Sequence, residues 1–134
     1  MNIPTTPNPS KLSLRIGWAL TALFVLFMVF DAVIKLIKLQ VVDDTLTHLG
    51  YPAGLGFQIG LLEMILLALY LIPRTSIFGA VLLTGLFGGA IASHVRAGSP
   101  LFSHVLFGFY LGVFAWCGLW LRDDRLRSLC PVRR

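Results

Sequence analysis

The sequence predicts an all-α protein, a four-transmembrane-helix antiparallel bundle, and three observations carry that expectation. The chain is 57% hydrophobic and 13% charged, with a mean hydropathy of +0.84; a soluble domain of this length needs far more polar residues to cover its surface. Its apolar residues fall into four runs, each near the ~20 residues that cross a ~30 Å hydrocarbon core. Short turns, PRT at 73–75 and GSP at 98–100, join the last three runs, and turns that short force antiparallel neighbours.

Residues 1–10, MNIPTTPNPS, hold three prolines and no apolar pattern, which predicts a disordered arm. A four-helix membrane domain is expected over residues 11–122, with spans at about 12–39, 53–72, 76–97 and 101–121. The first run reads as a retained span: no small-x-small cleavage site follows it, and Lys35 and Lys38 do. Between the first two spans, QVVDDTLTHLGYP reads either as a plain polar loop or as a short surface helix. In the second case Asp43 or Asp44 caps the helix, Gly50 ends it before Pro52, and the helix forms a lid. Residues 123–134 read as a basic cytoplasmic tail.

The net charge of +5 does not point to nucleic acid, because the basic residues flank apolar runs rather than sharing one soluble face. They suit the headgroups of a lipid bilayer. Lys11, Arg15, Arg74, Arg122, Arg125, Arg127, Arg133 and Arg134 fall on one side, against Lys35, Lys38 and Arg96 on the other. By the positive-inside rule both termini are expected in the cytoplasm of a multi-pass protein of the bacterial inner membrane. Cys117 lies in a span and Cys130 in the tail, a spacing that fits neither a redox pair nor a disulfide framework.

Lipid tails are as apolar as leucine, so helices in a membrane are held by close contact at small residues and by polar contacts. Gly56 and Gly60, Gly85 and Gly89, and Gly108 and Gly112 form three small-xxx-small pairs expected to pack the helices. Glu63 lies within the second span, where a carboxyl costs on the order of 3 kcal/mol by insertion scales and is rarely left facing lipid. Gly56, Gly60, Glu63, Leu67 and Tyr70 share one helical stripe, which turns the carboxyl towards the bundle interior. Counted from the turn at Pro73, Glu63 and Thr84 are level. The group reads either as a proton carrier or hydrogen-bond donor to a quinone or similar headgroup, or as an interhelical clamp with Thr84 and Gln58.

Asp31, Lys35 and Lys38 share a stripe of the first span, with the acid one turn ahead of the first lysine. Both lysines are expected to reach up to the outer interface, and Asp31 is expected near the level of His104. The stretch GGAIASHVRAGSPLFSH at 88–104 brings His94, Arg96 and His104 to the outer turn. Paired histidines raise haem or a metal ion, but helical phase puts Arg96 on the Gly85/Gly89 stripe and His94 about 180° from it. His104 shares the small-residue face of the fourth span. Haem is therefore disfavoured, and no ligand set has structural metal spacing; a polar substrate or quinone-headgroup site, or simply the polar end of a hairpin, fits better. His48 has little to commend it as a ligand.

LGYP at 49–52, Glu63, IPRT at 72–75, GAVLLTGLFGGAIASHVR at 79–96 and GSPLFSH at 98–104 together resemble the DoxX-like family of small bacterial membrane proteins. The resemblance covers roughly residues 15–122 and implies a four-helix membrane bundle. It also implies a wider group with members associated with quinone-linked oxidation of sulfur compounds or with membrane redox-stress complexes. It marks Glu63, His94, Arg96 and the surface from Gly79 to Gly89 without supplying catalytic roles. The expected function is an accessory subunit of a membrane redox or quinone-linked system binding a quinone or small apolar ligand. A non-catalytic scaffold or stress protein is the alternative, and a small-molecule transporter a third, since four short unbroken spans lack the usual transporter architecture. A membrane or redox protein partner and a homo-oligomer are both compatible with the sequence.

Overall fold

The structure, a computed structural model, describes residues 11–129; the N-terminal arm expected over 1–10 and the last five residues of the basic tail lie outside the described residues. The described chain is helical, with six α-helices: α1 (Lys11–Leu36), α2 (Gln40–His48), α3 (Leu55–Leu71), α4 (Ser76–Arg96), α5 (Phe107–Arg122) and α6 (Asp124–Leu129). A π-helical turn, Leu101–Val105, leads into α5. Among the described residues three helical segments are long and apolar enough to cross a membrane: Lys11–Leu36, Ser76–Arg96 and Leu101–Arg122. Helix α3 is equally apolar but has 17 residues, a rise of ~26 Å.

Helix α1 buries one stripe, Gly17, Thr21, Phe24, Met28 and Ala32, spaced three or four apart as one helical face requires. That face packs against α3 and α5, and α4 packs against the same two helices, so the four long helices close around a shared core. Phe24, Met28, Tyr70, Leu83 and Leu119 are its largest fully buried apolar side chains. The outward surface is apolar too. Leu26 is 70% exposed and Phe30 64% exposed, a pattern that suits hydrocarbon and not water.

The first span ends three residues earlier than expected, at Leu36. There Lys38 takes a left-handed φ of 59°, the Lys38 N–H donates to Lys35 O and the Leu39 N–H to Ile34 O, closing α1 with a Schellman motif. The same device ends α2 at Gly50 and α4 at Gly98, where φ is 86° and 70°. The lid helix between the first two spans forms as α2, but Leu39 is its N-cap, without a side-chain cap. Asp43 instead accepts from the Gly54 N–H at 3.2 Å.

At the opposite end, Thr75 and Ser76 do not cap α4; their hydroxyls donate to Leu69 O and Ile72 O, answering the unpaired carbonyls that end α3. The segment leading into α5 opens as a π-turn because the chain leaves Pro100 with His104 N–H and Val105 N–H both donating to Pro100 O, and Leu106 N–H donating to Leu101 O. The segment read as the start of a basic tail folds back as α6: Asp123 Oδ1 accepts from the Arg125 and Leu126 N–H groups, and Leu126 is buried.

Of the three glycine pairs expected to pack the helices, only part does so. A Cβ on Gly60 would lie 2.8 Å from Lys35 Cβ and 3.0 Å from Ala32 O, and one on Gly108 would lie 3.1 Å from Phe87 O. Gly56 backs onto Val42 of α2, and Gly112 only brushes Phe87. Gly85 and Gly89 pack against nothing: a Cβ at either would meet no atom within 4 Å. The tight crossings lie elsewhere, at Gly17 with Gly118 between α1 and α5, and at Gly79, where a Cβ would sit 2.4 Å from the Tyr70 backbone nitrogen. Gly79→Ala is therefore expected to destabilise the fold by about 1–3 kcal/mol, whereas Gly85→Ala is neutral; thermal melts of the two variants in detergent should separate them.

Candidate functional site

The bare glycines of α4 open onto a half-open cavity of about 540 Å³ lined by α1, α2, α3, α4 and α5. Its walls are mostly apolar, from Phe27 and Met28 of α1, Leu46 of α2, Ile59 of α3, and Phe87 and Leu111 of α4 and α5. Two polar clusters interrupt that lining. One is Asp31, Lys35 and Glu63; the other is Tyr51, Ser93, His94 and His104.

The first cluster is an ion-pair triad. Lys35 Nζ donates to Asp31 Oδ2 and to Glu63 Oε1, each at 2.5 Å, so one ammonium joins a neighbour on its own helix to a carboxylate on α3. Glu63 is 5% exposed, and its second oxygen, Oε2, is buried with no hydrogen-bond partner. The stripe that turned Glu63 inward is observed, since Gly56, Gly60, Glu63, Leu67 and Tyr70 are all buried. The partner differs. Glu63 meets neither Thr84 nor Gln58: the Thr84 hydroxyl donates to Ala80 O and accepts from Trp116 Nε1, tying α4 to α5, and Gln58 lines a separate pocket with Lys38.

Lys35 does not reach up to the outer interface as expected. Side chains on a helix tilt towards its N-terminus, so the long stem of Lys35 runs back down α1 to the level of Asp31. That level is set by the core: Phe24 stacks edge-on against Tyr70 with centroids 5.3 Å apart, and seven residues on along α1 and seven back along the antiparallel α3 stand Asp31 and Glu63. Lys38 alone behaves as a surface lysine, with its ammonium 5.4 Å from the Phe57 ring centroid.

The second cluster corrects the phase argument. His94 and His104 are not on different sides; their rings meet edge to face with centroids 5.7 Å apart. The reason is the face that α4 turns inward: Leu83 and Phe87 are buried and Gly108 packs on Phe87 O, while Gly85 and Gly89 meet nothing, so the stripe that carries His94, and not the glycine stripe, faces α5. His94 Nδ1 pairs with Ser99 Oγ at 3.0 Å and His104 Nδ1 with Ser103 Oγ at 2.7 Å. Asp31 and His104 line the same cavity, as their depths implied, but Asp31 spends its carboxylate on Lys35. Among the described residues no three His, Cys, Asp or Glu side chains are grouped to hold a metal ion.

Arg96 is not a cavity residue. Its Nη2 donates to Leu49 O at 2.5 Å, reaching across Gly50, where a Cβ would stand 2.9 Å from that nitrogen. A cation on the last carbonyls of a helix is favourably placed, and here it straps α2 to α4. Ser93 donates to Gly89 O, so the Tyr51 hydroxyl, 2.6 Å away, donates to Ser93 Oγ. The lid is thus tied at both its C-terminus and the segment that follows. Sequence reasoning missed Lys35 as the partner of Glu63 and Tyr51 with Ser93 as a tie. The first had a signal in the Asp31/Lys35 spacing; the second joins residues too far apart in the chain to leave one.

A small, all-helical membrane protein enclosing an apolar cavity with two polar clusters is the class that this geometry defines. The chain belongs to the DoxX-like family, whose family model matches residues 19–118. No curated protein and no solved structure matches it.

Lys35→Met leaves Asp31 and Glu63 beside each other without their cation and is expected to cost ~3–5 kcal/mol, while the triple change with Asp31→Asn and Glu63→Gln recovers most of that loss. Unfolding in mixed micelles measures both. Arg96→Gln should speed amide exchange across Gln40–His48 while leaving exchange in α4 unchanged, as hydrogen-exchange mass spectrometry would read.

Proposed function

We propose that this chain is a four-span antiparallel membrane bundle that binds an apolar small molecule with a polar head, such as a quinone, in the cavity beneath α2. On this reading it serves as an accessory subunit of a membrane redox system. The observation that carries the reading is the cavity itself: about 540 Å³, within the range of small-molecule sites, with apolar walls and few convergent polar groups. Helix α3 becomes the fourth span, its ~26 Å rise completed by the flanking turns. Family membership supports the membrane setting.

On this reading the chain sits in the bacterial inner membrane with both termini in the cytoplasm, which the distribution of its arginines supports. Arg15, Arg74 and Arg122 lie at the end shared by the start of α1, the turn after α3 and the end of α5, the side the positive-inside rule assigns to the cytoplasm. The lid and the histidine pair then lie towards the outer surface. The triad orients a headgroup at one end of the cavity and the Tyr51, Ser93, His94 and His104 cluster offers polar contacts at the other.

Protein extracted directly into lipid nanodiscs from quinone-replete membranes should retain a quinone or comparable amphipath, identified by mass spectrometry at near one per chain. Gly89→Leu, whose side chain would project into open cavity space, should lose it without loss of fold. Wild-type protein recovered empty, or a variant retaining the same molecule equally well, would sink the proposal.

A further inference from the structure

We infer that the cavity opens sideways into the bilayer between α3 and α4, and that its occupant is a long-tailed amphipath whose tail leaves through that opening into hydrocarbon while its head stays among the polar clusters. The inference rests on the cavity being a ligand site and adds the route by which the ligand comes and the shape of molecule that fits. The cavity is half-open, and the contacts around it identify the side left unclosed.

Three of the four junctions between neighbouring long helices are shut at the level of the cavity. Between α1 and α3, Gly60 packs on Lys35 and Ala32 and the Lys35 ammonium binds Glu63. Between α1 and α5, the rings of Phe27 and Phe107 meet with centroids 5.0 Å apart. Between α4 and α5, Gly108 packs on Phe87 O, Trp116 Nε1 donates to Thr84 Oγ1 and the two histidine rings meet. Over the end of the cavity, Val42 and Leu46 of α2 are buried and Arg96 holds the close of that helix through Leu49 O.

The junction of α3 with α4 differs. Gly79, Leu82, Leu86, Gly89 and Ser93 follow one another at three- or four-residue spacing and so form one flank of α4. At its first residue that flank presses on α3, where a Cβ on Gly79 would meet the Tyr70 backbone; at its last, Ser93 meets the Tyr51 hydroxyl. Between those two points a Cβ on Gly89 would meet nothing within 4 Å, and one on Gly85, a turn earlier at the outer edge of the flank, would also meet nothing. Both glycines are exposed and both line the cavity, with Ile59 of α3 across from them, so the cavity reaches the surface here. Gly85 follows the first residue of α4 by nine, a rise of ~14 Å, which is near the middle of a ~30 Å hydrocarbon core. An opening at that depth meets lipid tails and not water, so what passes through it is dissolved in the bilayer. A head held at either polar cluster then leaves its tail lying over Gly85 and Gly89, where no side chain stands in the way.

The test uses decylubiquinone carrying a diazirine on the last carbon of its tail, photolysed with the full chain in nanodiscs and mapped by tandem mass spectrometry, with excess decylubiquinone as competitor. Labels that the competitor displaces should fall on the rim between α3 and α4, within residues 59–62 and 81–89. Gly85→Trp, which fills the opening, should lose the displaceable labels. Gly88→Trp, at an equally open glycine outside the cavity lining, should keep them. Displaceable labels on α2 or around His104 overturn the sideways opening and leave the cavity reading standing, as does a folded Gly85→Trp labelled like the wild type. Labelling that the competitor displaces nowhere overturns the cavity reading and this inference with it.

Discussion

Lys35 carries its ammonium back down α1 to lie between Asp31 and Glu63, and the relative placement of α1 and α3 follows from keeping it there. A charge on its own within an apolar helix costs a few kcal/mol by insertion scales, so neither Lys35 nor Glu63 is tolerable without the other. Their contact fixes the rotation of both helices about their axes. It also demands close backbone approach, which Gly60 permits, since a Cβ there would press on Lys35 Cβ and Ala32 O. The small residue and the ion pair are two parts of one crossing.

From that crossing the helices diverge. Towards the other end they are clamped: Gly17 meets Gly118, Gly79 meets the backbone of Tyr70, and the Tyr70 hydroxyl donates to Ala115 O at 2.6 Å. Arg122 lies over the rings of Trp18 and Tyr70 and donates to Thr21 Oγ1, joining α1, α3 and α5. Towards α2 the close contacts are at Gly60 with α1 and at Gly108 with Phe87 of α4, while Gly85 and Gly89 leave a gap. A bundle tight at one end and spread at the other encloses space, and α2 covers it. Helix α2 is held there by the buried side chains of Val42, Leu46 and Leu49, with Val42 and Leu46 seated against Gly56, and by the polar ties of Asp43 and of Arg96 to Leu49 O.

Much of this was legible in the sequence, and the failures have physical causes. Hydropathy located the long helices and the PRT and GSP turns, because burial of backbone polar groups in an apolar medium permits little else. The stripe through Gly56, Glu63 and Tyr70 emerged because α3 is an uninterrupted helix and its phase can be counted. Phase counting failed for the histidines because it took the Gly85/Gly89 stripe of α4 as the packed face, whereas the buried stripe is that of Leu83 and Phe87, which also carries His94. Depth alone did not make Thr84 a partner for Glu63, because Thr84 lies on an exposed flank of α4 beside Trp116, a matter of helix rotation that depth does not address. Small-xxx-small spacing identified glycines that permit close approach, but whether a neighbour takes up that opportunity, as at Gly60 and Gly108 and not at Gly85 and Gly89, is a tertiary fact.

Two buried polar atoms in the described chain lack a hydrogen-bond partner, Glu63 Oε2 and Arg122 Nη2, and they differ in what surrounds them. The Arg122 guanidinium has its centre 4.8 Å from the Trp18 ring and 5.3 Å from the Tyr70 ring, so aromatic faces take the place of the missing acceptor. It stands in the clamped half of the bundle, where its role is to hold helices together. Glu63 Oε2 has no aromatic face beside it, and the residue that carries it lines the cavity. Natural folds satisfy nearly all their buried polar groups, and those that stay unsatisfied concentrate where a fold does something other than hold itself together. Arg122 therefore holds the packed half together, whereas Glu63, through its ion pair with Lys35, fixes a charged cluster on the wall of an otherwise apolar cavity and so sets where that cavity is polar.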